Sequence, residues 1–322
     1  MHPPLSLILF FLTAGTSVGL FTILFVLQTL SLLGTVEALP EAVLLRAGEL
    51  SLLLVGAGAF AASFHLGHKL RAWKAVRRFR TSWLSREAVF SGAYGVMLLL
   101  YLIALWRDAG TPLQLLFGGL ALAAGVLSAY STAMIYATNR FVLEWNSSIT
   151  VVSFLLLYLM LGSTAGAFLL ELYGLPQGEV FTFLSLTFLI LGFLFRIAFN
   201  VRQFYLRRPT LNDALNLPRN RPVRLLDAGT TTDNYCTTEF YYRKGKELLP
   251  TVIPVAYLLN FVVPFSLILY ARTSGSGESW LLGLSYVSLL VGGALERWCF
   301  FVEGNHVQNL FYGLYPSERE LR

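Results

Sequence analysis

The chain has 322 residues, of which 56% are hydrophobic and only 13% charged, about half the charged share of an ordinary soluble domain, which is roughly 25%. Its mean hydropathy is +0.63. That balance excludes a water-soluble globular fold and points to an all-α integral membrane protein. The net charge of +6 is better read as basic loops on one membrane face than as a nucleic-acid surface.

A helix needs about 20 apolar residues to cross the hydrocarbon core. Eight stretches qualify, at roughly 5–33, 42–68, 86–106, 112–137, 149–173, 178–200, 249–271 and 280–301. The first is too long for a signal-peptide core and lacks a basic leader, so no cleavable signal is expected. Most connections are short, which predicts antiparallel neighbours in a bundle of eight transmembrane helices. Residues 1–322 read as a single polytopic domain, with a long polar loop at 201–248.

An even number of spans puts both termini on one side, together with the second, fourth and sixth loops. Assigning Arg297 to the C-terminal segment, that side carries 20 Lys and Arg; the other holds Arg46, Arg107 and Arg272, and Arg196 falls inside the sixth span. Basic residues concentrate in cytoplasmic loops. Both termini are therefore expected in the cytoplasm, in a bacterial inner membrane.

The segment between the second and third spans is the most unusual, SFHLGHKLRAWKAVRRFRTSWLSREAVF at 63–90. Leu70, Trp73, Val76 and Phe79 recur at helical spacing, with basic residues between them. Such a segment suits the membrane interface, as an anchor or as a docking face for an acidic partner. His65 ends the second span and Glu87 opens the third, at matching depth if the helices pack antiparallel. Ionisable residues at membrane depth are functional candidates by default. An imidazole that titrates near neutral pH and a carboxylate that serves as a base suit the two hydroxyls of a quinol, and Trp73 or Trp83 suits its ring. A His–Glu pair without a ligand fits the same residues. Arg71 and Arg86 are candidates for holding quinone oxygens, and equally for docking a partner.

Metal chemistry in the chain itself is not expected. Two cysteines, Cys236 and Cys299, fall short of the four that an iron–sulfur cluster normally takes, and haem needs axial ligands inside the bundle. All four His sit at span ends or beyond. A transporter is the rival class, with Arg46, Glu49, Glu171 and Asn260 as polar groups inside spans. No matched pair of interrupted spans marks inverted repeats. A pure tether, with quinone bound elsewhere, is a third.

The stretch HLGHKLRAWKAVRRFRTSWLSRE resembles the second-loop signature of the membrane anchor subunits of dimethyl sulfoxide reductase-type enzymes. SAYSTAMIYATNRFVLEWN at 128–146 resembles a further segment of that family, and the eight-span layout agrees. The family pattern has Arg-Pro where this chain has His68 and Lys69. The resemblance implies a complex in which a molybdopterin catalytic subunit and an iron–sulfur electron-transfer subunit sit on one membrane face. The anchor then exchanges electrons with ubiquinone or menaquinone. It further implies a quinone site at His65 and Glu87. The residues themselves add Arg71, Trp73 and Arg86 to that site, and the basic charge of the second and sixth loops points to docking of the iron–sulfur partner at Arg77, Arg78 and Arg80. The opening MHPPLSLILFFLTAGTSVGLF and TTEFYY at 237–242 are similar to the sulfite-oxidising branch, and a cytoplasmic partner fits it. The expected reaction is sulfite oxidation with quinone reduction; a reductase that oxidises quinol is the alternative.

Overall fold

A computed structural model describes residues 3–64, 69–221, 223–227, 229, 232, 237, 241–274 and 279–314. Eight helices in it are long and apolar enough to cross a membrane. They are Leu5–Leu32, Glu41–Ser63, Trp83–Trp106, Thr111–Ala137, Ser148–Leu172, Gly178–Tyr205, Lys244–Thr273 and Ser279–Glu303. Among the described residues there is no strand, only an isolated antiparallel bridge between Val142 and His306. The fold is the expected all-α membrane bundle.

The first and fifth spans form its centre. Of their apolar windows 78% and 67% are buried, against 28–44% for the other six. They cross backbone to backbone at two glycines. A Cβ on Gly19 would stand 1.9 Å from the Tyr158 carbonyl oxygen, and one on Gly162 would stand 2.1 Å from the Gly19 carbonyl carbon. In lipid there is little hydrophobic drive to hold helices together, so small residues that permit close van der Waals contact select the crossing point.

The seventh span is interrupted. Arg243–Tyr257 gives way to a π-helical stretch, Leu258–Val262, and resumes as Val263–Thr273. Pro264 lacks an N–H and cannot bond the carbonyl four residues back. The eighth span meets the irregular backbone with hydroxyls: Ser288 Oγ donates to the Leu259 carbonyl at 2.9 Å and Ser285 Oγ to the Pro264 carbonyl at 3.2 Å. Gly292 lets the two helices touch there, since its Cβ would lie 2.3 Å from the Asn260 nitrogen. Non-helical backbone at membrane depth survives where protein groups satisfy it in this way.

Three boundaries correct the expected spans. The second span stops at Ser63 instead of reaching 68, the seventh begins at Lys244 instead of 249, and the sixth runs on to Tyr205 instead of ending at 200. Arg202 is therefore part of that helix. Its guanidinium donates to the carbonyls of Leu143, Glu144 and Asn146, tying the sixth span to the loop after the fourth.

Candidate functional site

Lys69–Arg78 is a 3-10 helix. The three-residue spacing of Leu70, Trp73, Val76 and Phe79 suits it better than an α-helix, because a 3-10 turn has 3.0 residues and residues three apart eclipse. Trp73 is 58% exposed and Val76 51% exposed, so the apolar face is not spent on the protein core. The Arg77 guanidinium lies 4.6 Å from the centre of the Trp73 ring. Arg77, Arg78 and Arg80 are exposed.

Ser82 ends this segment and caps the third span, accepting from the Ser85 nitrogen. Arg86 closes the loop over the cap. Its Nε donates to the Phe79 carbonyl at 3.0 Å, its Nη2 donates to the Arg80 carbonyl at 2.8 Å, and its guanidinium stacks 4.1 Å from the Trp83 ring centre. Phe79 meets Phe90 edge to face at 5.6 Å. Arg86 thus sets the path of the basic loop relative to the third span.

One turn into that span, Glu87 faces the fourth. The Thr132 hydroxyl lies 2.5 Å from Glu87 Oε1 and 3.1 Å from the Ser128 carbonyl. A hydroxyl carries one hydrogen. With Glu87 ionised, Thr132 donates to the carboxylate. With Glu87 protonated, the carboxyl donates to Thr132 and Thr132 donates on to Ser128. Either protonation state keeps a partner. No cation pairs with Glu87 among the described residues. Ser91 and Ser128 bridge the same two helices at 2.7 Å.

His65, the partner expected across from Glu87, lies outside the described residues, as do His68 and the Arg71 side chain. Tyr136 is enclosed by aromatic rings. It stacks on Phe154 and meets Trp145, Phe300 and Phe301 edge-on, with centroids 5.4–5.7 Å away. The residues named for transport do not converge. Arg46 and Glu49 pair with each other at 2.9 Å on an exposed face, and Asn260 is buried at the π-helical stretch.

A second polar constellation is not foreseen from the sequence. Arg297 belongs to the eighth span and not to a basic C-terminal segment; it is only 2% exposed. Its Nε and Nη2 reach the two Glu296 oxygens at 2.6 and 2.9 Å, and its guanidinium lies 4.3 Å from the Phe154 ring and 4.9 Å from Phe300. Arg196 joins from the sixth span, 3.4 Å from Glu296 and 2.7 Å from Glu303. Two buried cations thus balance one buried carboxylate and one partly buried one. The signal was present: Arg196, Glu296, Arg297 and Glu303 are two charges of each sign in two apolar spans. Only the packing of the sixth span on the eighth makes them one group.

A third group ties the loops together. Glu144 is buried and accepts from Arg208 Nε at 3.3 Å, from the Asn305 backbone at 3.2 Å and from Asn305 Nδ2 at 3.0 Å, while Lys246 donates to Asn305. The likeness of 128–146 to a known segment is thereby given a physical basis, because Glu144, Trp145 and Asn146 join the fourth-span loop to the sixth and eighth spans. Trp145 Nε1 donates to the Phe300 carbonyl at 2.8 Å.

The sequence profile of the DMSO reductase anchor subunit (DmsC) family matches residues 1–314. The chain is also similar to the C subunit of sulfite dehydrogenase from Allochromatium vinosum, at 30% identity over 97% of this chain and 99% of that protein.

Proposed function

This chain belongs to the DMSO reductase anchor subunit (DmsC) family, and we propose that it anchors a molybdopterin and iron–sulfur oxidoreductase and passes its electrons to quinone. The observation that carries the quinone reading is Glu87. It is a carboxyl at the membrane boundary, bonded to a hydroxyl and, among the described residues, to no cation, with a partner in either protonation state. A bound quinone supplies a couple of two electrons and two protons. Around it, Glu87 and His65 hold and release protons, Trp73 offers a ring face, and Arg86 fixes the loop that covers the site. Arg71 is assigned to a quinone oxygen. The residues present fit such a group, since a proton-handling carboxyl, exposed aromatic surface and basic side chains lie within one loop and the helix that follows it.

Sulfite is the proposed electron source. Its support is the likeness to a sulfite dehydrogenase component over nearly the full length of both chains. The family's own description supports the reverse reaction, in which quinol is oxidised for a reductase; the same residues would then release the protons. A tagged chain purified from its own membranes is expected to bring down a molybdopterin subunit, an iron–sulfur subunit and quinone. Recovery of the chain alone, with its partners' genes expressed, would discard the anchor reading.

Arg77, Arg78 and Arg80 are proposed to dock the iron–sulfur subunit. Reversing all three to Glu sets like charges against the partner surface that fits them, which costs several kcal/mol at an interface. The catalytic subunits should then appear in the soluble fraction at ordinary salt. If they stay on the membrane, these arginines serve lipid. The inner membrane and cytoplasmic termini are proposed from the basic asymmetry. A reporter fused to the C-terminus should be active only in its cytoplasmic form, and periplasmic activity there would invert the topology.

A further inference from the structure

The sixth span ends at Tyr205, and the chain turns at once into a basic pocket of about 550 Å³. Arg207, Arg208 and Arg219 line it with Asp213, and Leu143 and Phe311 form apolar wall. The three arginines are not equivalent. Arg208 is turned onto buried Glu144. Arg219 holds Asp213 through two hydrogen bonds, of 2.9 and 2.5 Å, which keep that carboxyl charged and well below its usual range. Arg207 is exposed and pairs with no acid among the described residues. Two acids thus face three guanidinium groups, and the cation left over is the one on the rim.

The helix that precedes the pocket carries an exposed apolar surface. Ile190, Leu194, Ile197, Val201, Phe204 and Tyr205 are all exposed. Their spacing places them on one face of the sixth helix, which ends two residues before Arg207. At the foot of that face is a groove of about 250 Å³ between the sixth and seventh spans, lined by Ile190, Phe193, Phe261 and Phe265. From Phe193 to Tyr205, where the helix ends, the rise amounts to about 18 Å. That is a little under half of a whole bilayer of about 40–45 Å. The groove therefore falls near the midplane when the arginines stand at the headgroups.

We propose that this pocket and the sixth-span face below it bind one anionic phospholipid. The phosphodiester takes Arg207, and an acyl chain follows the helix down to the groove. Basic pockets beside transmembrane helices suit such headgroups. An acidic segment of a partner protein matches the arginines but not the apolar surface beneath them, which is about 18 Å long by helix rise.

The full chain, delipidated in detergent, is titrated separately with phosphatidylglycerol, phosphatidylcholine and inorganic phosphate. Native mass spectrometry and thermal unfolding are the readouts. Phosphatidylglycerol should stay bound and raise the unfolding temperature. Arg207→Gln should weaken its retention about tenfold, and Arg207→Lys should restore most of it. Equal retention of phosphatidylcholine would reduce the site to ordinary boundary lipid and overturn the proposal. So would full stabilisation by phosphate, or retention unchanged in Arg207→Gln. If the intact complex carries no lipid here and Arg207→Gln instead releases a subunit, the pocket is a protein contact and the proposal fails.

Discussion

Glu87→Gln should slow quinone-linked turnover at least tenfold while leaving the complex assembled. Glutamine keeps the shape of the side chain and can still meet Thr132, which lies 2.5 Å from Glu87 Oε1. What it removes is the proton. General acid–base groups contribute about 10²–10⁴-fold to rate, so the loss should fall on turnover more than on quinone binding. His65→Ala should abolish the same activity, because an imidazole is replaced by nothing that can accept a proton near neutral pH. A soluble dye that takes electrons before the membrane should be reduced at the normal rate in both variants. Wild-type quinone turnover in both, with normal inhibitor binding, would move the site elsewhere. Tyr130 and Arg140 would be the next candidates. They are exposed near the end of the fourth span, whereas Tyr136 is closed in by rings.

Glu296→Ala should be the most damaging single change outside that site. Glu296 is the only acid that Arg297 reaches among the described residues, and Arg297 is 2% exposed. Removing one partner of a buried pair strands the other charge, at a cost of about 3–5 kcal/mol. That is a large fraction of the roughly 5–15 kcal/mol that ordinarily holds a protein folded. The variant should accumulate poorly in membranes and unfold many degrees early in detergent. Replacing both partners, Glu296→Ala with Arg297→Met, removes the stranded cation and should recover much of the loss. Arg196 keeps Glu303 at 2.7 Å in either case. If the single variant unfolds like the wild type, the fit of the sixth span against the eighth does not depend on these charges. Equal instability of the single and double variants would assign the effect to lost packing at that position.

The sequence by itself determined the eight spans, because a run of apolar residues long enough to cross a bilayer is a one-dimensional property. The expected ends fall within a few residues of the helices wherever the chain leaves the membrane sharply. They miss at 63, 205 and 244, where a helix stops before the apolar run does or carries on through polar and basic residues. The basic loop was legible too, since it needs no partner to be recognised. Its spacing was read only as helical, and the 3-10 form that the chain adopts emerged with the structure.

What lay beyond reach was everything that depends on two distant segments meeting. Glu87 stood out as an acid at a membrane edge, but its partner Thr132 is one hydroxyl among many until the third and fourth spans pack. Arg86 was a candidate ligand by its position in the sequence; two carbonyls and a Trp ring take its guanidinium in the fold. Arg297 was read as one more basic residue outside the membrane, because linear counting cannot distinguish a loop cation from one neutralised by the residue before it and set against two rings. Composition sets which groups must avoid lipid. Helix packing decides which of them meet, and a buried charge is tolerated only when its partner arrives with it.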